Sequence, residues 1–191
     1  MIAILEIAHV LDTATLDRIR REMGAARGEP ATVLGLAPQH RVASSARKAS
    51  RIAVSDTIHA AVAALLEGLQ PRIGVHFDRP LNGFEEPQFL RYRPGDYFVA
   101  HQDGNTPLVY DESRFRKVSV VISLSAQSEH PTPETFCGGS LVLHGAFGET
   151  EPRLTLAPAP GTLVAFPSEA THEVLPITHG ERLSVVSWYR A

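Results

Sequence analysis

The chain from Pro87 onward is a series of short β-type runs, and this pattern limits the fold more than any other feature. In each run, β-branched or aromatic residues recur at a period of two, the spacing of a half-buried strand. Glycine, proline and small polar residues stand between the runs, where they favour turns. The eight runs are PQFLRY, DYFVAHQD, KVSVVISLS, GGSLVLH, PRLTLAP, GTLVAFP, THEVLPI and RLSVVSWYR. They predict an antiparallel sandwich or jelly roll, in which two sheets face each other.

The first eighty residues are interpreted as a helical support region for these sheets. Apolar residues recur at helical spacing in 11–26 and again, more clearly, in 54–71. Gly68 and Pro71 are expected to end the second helix, because neither residue favours a helix interior. The predicted fold class is therefore mostly β with N-terminal helices (α+β), a jelly-roll core flanked by two or three helices.

Composition indicates one globular domain over 1–191. The chain has 43% hydrophobic and 20% charged residues and a net charge of -3, so no charge excess points to nucleic acid. Cys137 is the only cysteine, which excludes an intrachain disulfide and a multi-cysteine zinc site. The N-terminal run MIAILEIAHV carries Glu6 and no basic segment, so we interpret it as a strand rather than a signal peptide. A cytoplasmic location without membrane contact is expected.

Two candidate metal ligands, His101 and Asp103, stand two positions apart in RYRPGDYFVAHQDG. Alternate residues of a strand point to the same side, so both side chains can reach one ion. A third ligand is needed, and His172 opens a strand-like run directly after a turn. Two imidazoles and one carboxylate form the facial set that suits non-haem Fe(II) and leaves coordination positions open.

Arg182 follows His172 by ten positions, across the turn residues Pro176 and Gly180. A hairpin at this turn would bring Arg182 alongside the strand that begins at His172, with its guanidinium directed into the barrel. A buried guanidinium requires an anion, which can be a substrate or cofactor carboxylate. The alternative is a surface ion pair, for example with Glu181.

These elements together resemble the 2-oxoglutarate and Fe(II)-dependent dioxygenases of the prolyl 4-hydroxylase-like group. The resemblance covers roughly 87–191 and implies a double-stranded β-helix catalytic core there, supported by the helical region 1–80. The matching elements are Tyr92, Gly95, His101, Asp103, GGSLVLH from Gly138, GTLVAFPS from Gly161, His172 and Arg182.

The resemblance also implies roles for individual residues. His101, Asp103 and His172 are implied ligands of Fe(II), and Arg182 is the implied partner of the distal carboxylate of 2-oxoglutarate. Tyr92 is the implied hydrogen-bond donor to that carboxylate, although by residue type alone it can equally be a sheet aromatic. Molecular oxygen is the co-reactant, and ascorbate is a further candidate cofactor.

Candidate substrate contacts are fewer. Trp188 stands where related enzymes place an aromatic near the substrate entrance, but it can also fill the core. Phe98 occupies the position at which related prolyl hydroxylases often carry a tyrosine, and the neighbouring Tyr97 faces the other side of the strand. Arg114 is a third candidate. It belongs to the irregular segment 104–117.

Two irregular segments, 104–117 and 125–137, are candidate lids over the substrate. In the first, Asp111, Arg114 and Arg116 are predicted to lie near the entrance, and a solvated loop is the alternative.

The predicted function is hydroxylation of an unactivated carbon, on a prolyl or other amino-acid side chain of a protein or peptide. A free amino acid or small metabolite is the alternative substrate. A cupin-like metal-binding module without 2-oxoglutarate turnover is a second alternative, but cupins usually pair two histidines with a glutamate and have no need of Arg182.

Overall fold

A computed structural model describes residues 2–31, 33–34, 40–41, 46–104, 112–144 and 154–191. These residues form a mostly β fold with two α-helices, α1 (Thr13–Ala25) and α2 (Asp56–His76), and a 3-10 helix at Glu112–Phe115. The strands are β1 (Leu5–Ile7), β2 (Gly28–Pro30), β3 (Val33–Leu34), β4 (His40–Arg41), β5 (Arg47–Lys48), β6 (Ser50–Ile52), β7 (Gly83–Phe84), β8 (Gln88–Tyr92), β9 (Tyr97–His101), β10 (Arg116–Ser123), β11 (Ala126–Gln127), β12 (Thr135–Gly138), β13 (Leu141–Leu143), β14 (Leu154–Leu156), β15 (Leu163–Pro167), β16 (His172–Val174), β17 (Ile177–His179) and β18 (Arg182–Arg190).

Two sheets contain most of the strands. The larger is eight-stranded, in the order β1-β15-β10-β18-β8-β6-β2, with β7 also paired to β18. The smaller is five-stranded, in the order β14-β13-β16-β9-β5. A three-stranded sheet, β11-β12-β17, and the pair β3-β4 complete the described strands. Each of the eight predicted runs contains one strand of the two main sheets, so the period-two pattern predicted these elements correctly.

Both helices pack on one face of the eight-stranded sheet. Along β10, Val118, Val120 and Ile122 alternate with residues of the opposite face and point toward the helices. Tyr189 on β18 ties α2 to the sheet, since its hydroxyl donates to the Leu66 carbonyl at 2.6 Å. The helices bury Leu16, Ile19 and Met23 of α1 and Ile58, Val62, Leu66 and Ile73 of α2.

The opposite face of the eight-stranded sheet packs against the five-stranded sheet. Two apolar clusters contain residues from both sheets, so the sheets face each other across them. One cluster includes Leu90, Tyr92, Phe136, Val174 and Ile177, and the other includes Val121, Leu141, Leu143, Val164 and Phe166. The interior of the molecule on this side is therefore walled by β-strands. No described helix is long and apolar enough to span a membrane.

The predicted end of the second helix at Pro71 is wrong, because α2 continues to His76. Proline lacks an N–H, so the helix forgoes one hydrogen bond at this position. Ile73 is completely buried against the sheet, and its carbonyl accepts from the backbone N–H of Phe77 at the C-terminal end. Packing of this last turn offsets the lost hydrogen bond, which local propensity does not reveal.

The predicted hairpin between His172 and Arg182 is also wrong. β16, which begins at His172, pairs with β9 and β13 in the five-stranded sheet. β18, which begins at Arg182, pairs with β8 and β10 in the eight-stranded sheet. The intervening β17 pairs with β12, and Gly180 adopts a left-handed conformation (φ +67) before β18 starts. The chain therefore crosses from one sheet to the other instead of folding back beside itself.

Candidate active site

The two candidate histidine ligands are direct neighbours across the five-stranded sheet. β9 and β16 are antiparallel, and the register places His101 opposite His172. Their ring centroids are 4.2 Å apart. The pairing explains why the side chains meet although 71 positions separate them in the sequence.

Asp103 completes the set from just beyond the end of β9. Its Oδ1 lies 3.4 Å from His101 Nε2, and its Oδ2 lies 3.4 Å from His172 Nε2. One ligand atom from each residue falls within 4.8 Å of the others. We expected His101 and Asp103 to alternate on one strand, but β9 ends at His101. The turn is fixed by Ser168, whose carbonyl accepts from the Asp103 N–H at 2.9 Å.

Backbone carbonyls fix the orientation of both imidazoles. His101 Nδ1 lies 2.8 Å from the Val99 carbonyl, and His172 Nδ1 lies 2.9 Å from the Ala170 carbonyl. A carbonyl only accepts hydrogen bonds, so each Nδ1 carries the proton. In the neutral rings, each Nε2 therefore presents a lone pair toward Asp103.

Burial sets the charge state of this cluster. Burial lowers the pKa of His172 to about 4, against the opposite effect of Asp103. Burial alone would raise the pKa of Asp103, but electrostatic interaction with His172, His101 and Arg116 brings it well below its ordinary value. At neutral pH, His172 is uncharged and Asp103 is ionised. The three ligand atoms lie within 4.8 Å of one another, and the donor set fits Fe(II).

The metal-free protein should lose stability as the pH falls from 6.5 toward 4. In this window the unfolded chain protonates His172, whereas the folded chain does not, since the pKa falls from 6.5 to about 4 on folding. Unfolding then takes up a proton, so its free energy should fall by up to about 1.4 kcal/mol per pH unit. Urea unfolding at pH 7, 6 and 5 measures this slope. His172→Gln should flatten it, and the exposed control His130→Gln should not. A parent slope equal to that of His172→Gln would contradict the assignment.

Arg182 is a buried cation on the inner face of β18. It alternates in phase with Ser184 and Trp188 and is only 8% exposed. Its guanidinium lies 5.4 Å from the ring centroid of Tyr92, its register partner on β8, and donates to Ser184 Oγ at 3.2 Å. Burial lowers the pKa of Arg182, Tyr92 acts in the opposite direction, and the nearby Arg47 lowers it further.

Within the described ranges, Arg182 makes no ion pair with an acidic side chain. The predicted alternative partner, Glu181, binds Arg93 instead, at 2.8 Å. Gly139 leaves room mainly for Ile177 and also for the arginine, since a Cβ at that position would lie 2.1 Å from Ile177 Cδ1 and 3.3 Å from Arg182 Cδ. The guanidinium is thus positioned to receive an anion that the described protein does not supply.

Phe98 forms the centre of a stack beside the metal ligands. Its ring lies 3.5 Å from the His101 ring, centroid to centroid, and the two planes are inclined by 20°. The guanidinium of Arg47 lies 4.7 Å from the Phe98 centroid. The pairing of β5 with β9 produces this contact, because the register places Arg47 opposite Phe98. Phe98 therefore stacks on the candidate ligand His101, and the Arg47 guanidinium packs over the Phe98 ring.

Trp188 is buried beneath Arg116 rather than exposed at an entrance. The guanidinium of Arg116 lies 3.8 Å from the indole centroid, and it donates two hydrogen bonds of 2.7 Å to the Glu85 carboxylate. It also donates to the Asp103 carbonyl at 3.2 Å. Arg116 belongs to β10 and is buried, so its predicted place in a lid is wrong. Its charge is neutralised by Glu85, and its function here is to hold the chain around Asp103.

Of the two predicted lid segments, the structure describes 104–117 in part and 125–137 in full. Arg114 is exposed in the 3-10 helix, with its guanidinium 4.6 Å from the Phe115 centroid. Asp111, with 105–110, lies outside the described residues. Segment 125–137 includes β11 and most of β12, so part of it belongs to the three-stranded sheet.

Two residues that the sequence did not identify, Ser119 and Ser168, contact the carboxylate cluster. The Ser119 hydroxyl donates to Asp103 Oδ2 at 2.7 Å and lies 3.0 Å from Ser168 Oγ. Ser119 interrupts the apolar run KVSVVISLS. A hydroxyl on the inner face of a buried strand was the signal available in the sequence.

The chain matches known proteins over this same region. The model of the 2OG-Fe(II) oxygenase superfamily matches residues 87–190. A PKHD-type hydroxylase of Xanthomonas campestris pv. campestris (strain B100) is 30% identical over 189 residues, which are 98% of this chain and 78% of that protein. A PKHD-type hydroxylase of Shewanella sp. (strain MR-7) is 32% identical over 108 residues. That match covers 56% of this chain and 44% of the relative, so it spans less than half of the relative's length.

Solved structures agree in fold. A Pseudomonas putida prolyl-4-hydroxylase superposes with a TM-score of 0.68 at 23% identity, over 100% of this chain and 93% of that one. A Trichoplax adhaerens prolyl hydroxylase, in complex with a hypoxia inducible factor peptide fragment, gives a TM-score of 0.73 at 16% identity, over 98% and 83% of the chains. At these identities the likeness concerns the fold. The family match, and the relative that aligns with almost the whole chain, establish that this protein belongs to the 2OG-Fe(II) oxygenase superfamily, whose members use Fe(II), 2-oxoglutarate and O2.

Proposed function

We propose that this protein is a 2-oxoglutarate- and Fe(II)-dependent dioxygenase that hydroxylates an unactivated carbon of a prolyl or other amino-acid side chain in a protein or peptide. The observation that carries the proposal is the convergence of His101, Asp103 and His172, whose ligand atoms lie within 4.8 Å of one another. The buried guanidinium of Arg182 supplies the second requirement, a cation for the cosubstrate.

In this proposal, His101, Asp103 and His172 hold the iron. These residues fit Fe(II) because the Nε2 lone pairs of the two neutral imidazoles and the ionised carboxylate face one another. When bound, Fe(II) and 2-oxoglutarate activate O2 for insertion into a C–H bond. The protein's own contribution is to hold these groups in one orientation and to keep the site dry.

Arg182 pairs with the distal carboxylate of 2-oxoglutarate, and the Tyr92 hydroxyl donates to the same carboxylate. The two residues are register partners on adjacent strands, so their polar ends can approach one anion from the same side. A guanidinium can bind a carboxylate through two parallel hydrogen bonds, which fixes orientation as well as position. In a cupin-like module without 2-oxoglutarate turnover, no cosubstrate carboxylate would pair with Arg182, so the buried guanidinium does not support this alternative.

We further infer that the two facing sheets form a double-stranded β-helix over 87–191, within a single domain of 1–191. The family match over 87–190 and the TM-scores of 0.68 and 0.73 support this inference. The region 1–80 adds the supporting helices, the edge strands β1, β2 and β5, and β6, which lies between β8 and β2. Ascorbate as a further cofactor, and a cytoplasmic location, stay predictions from the sequence.

A peptide substrate is supported by one solved relative, the Trichoplax prolyl hydroxylase, which is in complex with a peptide fragment. Phe98 is the point at which this chain departs from prolyl hydroxylases that carry a tyrosine. Because its ring lies against His101, it contributes to the wall closest to the candidate metal. Arg114, which is exposed, stays a candidate for a more distant substrate contact, whereas Trp188 is covered by Arg116. Free amino acids and small metabolites are the alternative substrates.

An anaerobic titration tests the proposed chemistry. Addition of 2-oxoglutarate to the Fe(II)-loaded protein should produce a visible charge-transfer band, because the keto acid chelates the metal. Glutarate, which has the same two carboxylates and chain length but no keto group, is the matched control and should give no such band. Absence of the band with 2-oxoglutarate would overturn the proposal. Succinate release in air, screened against prolyl peptides, free amino acids and small metabolites, then separates the substrate classes.

A further inference from the structure

The Asp103 carboxylate accepts a hydrogen bond from a serine hydroxyl of the facing sheet. Ser119 lies on β10, in the eight-stranded sheet, and its Oγ donates to Asp103 Oδ2 at 2.7 Å. Its side chain alternates with the helix-facing Val118 and Val120, so it points toward the site. Ser119 is 1% exposed, so water does not compete for this hydrogen bond.

The Ser168 side chain forms a hydrogen bond with the hydroxyl of Ser119. The two Oγ atoms are 3.0 Å apart, and Ser168 is completely buried. A serine hydroxyl has one hydrogen, which Ser119 gives to Asp103, so the hydrogen between the two serines comes from Ser168. The Ser168 carbonyl also accepts from the N–H groups of Asp103 and Gly104, at 2.9 and 3.2 Å. One residue therefore fixes both the backbone and, through Ser119, the side chain of Asp103.

We propose that Ser119 is a positioning residue that fixes the rotation of the metal-binding carboxylate of Asp103, with Ser168 as its support. This inference rests on the proposed function, in which Asp103 is an iron ligand. The terminal torsion of an aspartate is broad, so a carboxylate without a second contact samples many orientations. The Ser119 bond holds Oδ2 and leaves Oδ1 on the side of His101. The hydroxyl therefore keeps the carboxylate in a metal-binding orientation in the metal-free protein.

Metal affinity of the full chain tests this role without reference to turnover. Mn(II) binding, followed by the loss of the free-ion electron paramagnetic resonance signal, gives a Kd for the parent and for each variant. Ser119→Ala should raise this Kd by about tenfold to a hundredfold, the usual effect of losing a partner that orients a ligand. Ser119→Thr keeps the hydroxyl and should restore most of the affinity. Ser168→Ala should give a smaller loss, because Ser119 still donates to Asp103.

Ser123→Ala is the matched control, since Ser123 lies on the same strand, is buried, and donates to the Ser125 carbonyl at 3.2 Å. Its Kd should equal that of the parent. If Ser119→Ala binds Mn(II) as tightly as the parent, or if Ser123→Ala weakens binding equally, the positioning role is overturned while the metal site stands. If the parent binds no Mn(II), the proposed function fails as well. Should Ser119→Ala not fold, Ser119→Thr and Ser168→Ala decide the question by the same order of affinities.

Discussion

Replacement of Asp103 by alanine should abolish specific metal binding and reduce succinate formation from 2-oxoglutarate by about a thousandfold or more. The carboxylate is the only negative charge in the candidate ligand set, and two neutral imidazoles alone hold a divalent ion weakly. Loss of about 4 kcal/mol of stabilisation corresponds to a thousandfold change in rate or affinity. The measurements are Mn(II) binding and anaerobic development of the 2-oxoglutarate band with Fe(II).

The same substitution should leave the fold intact, which separates a ligand from a structural residue. Asp17→Ala is the matched control, because Asp17 lies on α1 and makes only a partly exposed ion pair with Arg20. Exposed pairs of this kind contribute little, so this variant should bind metal and form the band as the parent does. If Asp103→Ala retained the parent's Mn(II) affinity, the three converging side chains would not be a metal site.

Eight strands of the two sheets could be predicted because they lie in sequence runs of six to nine residues with a period-two pattern. Strand β5 has two residues, too few for the alternation to repeat, and was not identified. Yet β5 carries Arg47 to Phe98 and so builds one side of the site. Such pairings depend on register between segments fifty positions apart, and no local pattern records them.

The ligand set was identified from residue types and spacing, but not the way in which it is assembled. His101 and Asp103 were expected to share a strand, whereas the Ser168 carbonyl turns the chain after His101. Arg182 was expected on a hairpin with His172, whereas the chain crosses to the opposite sheet. Both arrangements bring the same groups into one interior, so the three candidate ligands meet although the expected local geometry was wrong. Ser119 was missed because a hydroxyl in a buried strand indicates a polar partner but does not reveal which residue that partner is.

Replacement of Arg182 by methionine should weaken binding of 2-oxoglutarate by about a hundredfold or more, since truncation of one partner in a buried charge pair costs 2–5 kcal/mol, an order-of-magnitude range. Methionine keeps much of the length and volume of the arginine stem. Mn(II) affinity should be unchanged, because Arg182 contacts Tyr92 and Ser184 rather than the candidate ligands. Arg93→Met is the matched control, as Arg93 is exposed and paired with Glu181.

A cosubstrate without the distal carboxylate turns this experiment into a test of the specific pairing. The parent should bind 2-oxoglutarate much more tightly than 2-oxopentanoate, which has the same keto acid and no second carboxylate. Arg182→Met should bind both keto acids about equally. The ratio of their two Kd values should therefore be large for the parent and close to one for the variant, and this difference measures the coupling between Arg182 and the distal carboxylate. The free variant should also be at least as stable toward urea as the parent, because a buried cation without an acidic partner is replaced by an apolar side chain. Retention of the parent's preference in Arg182→Met would show that another residue binds the distal carboxylate.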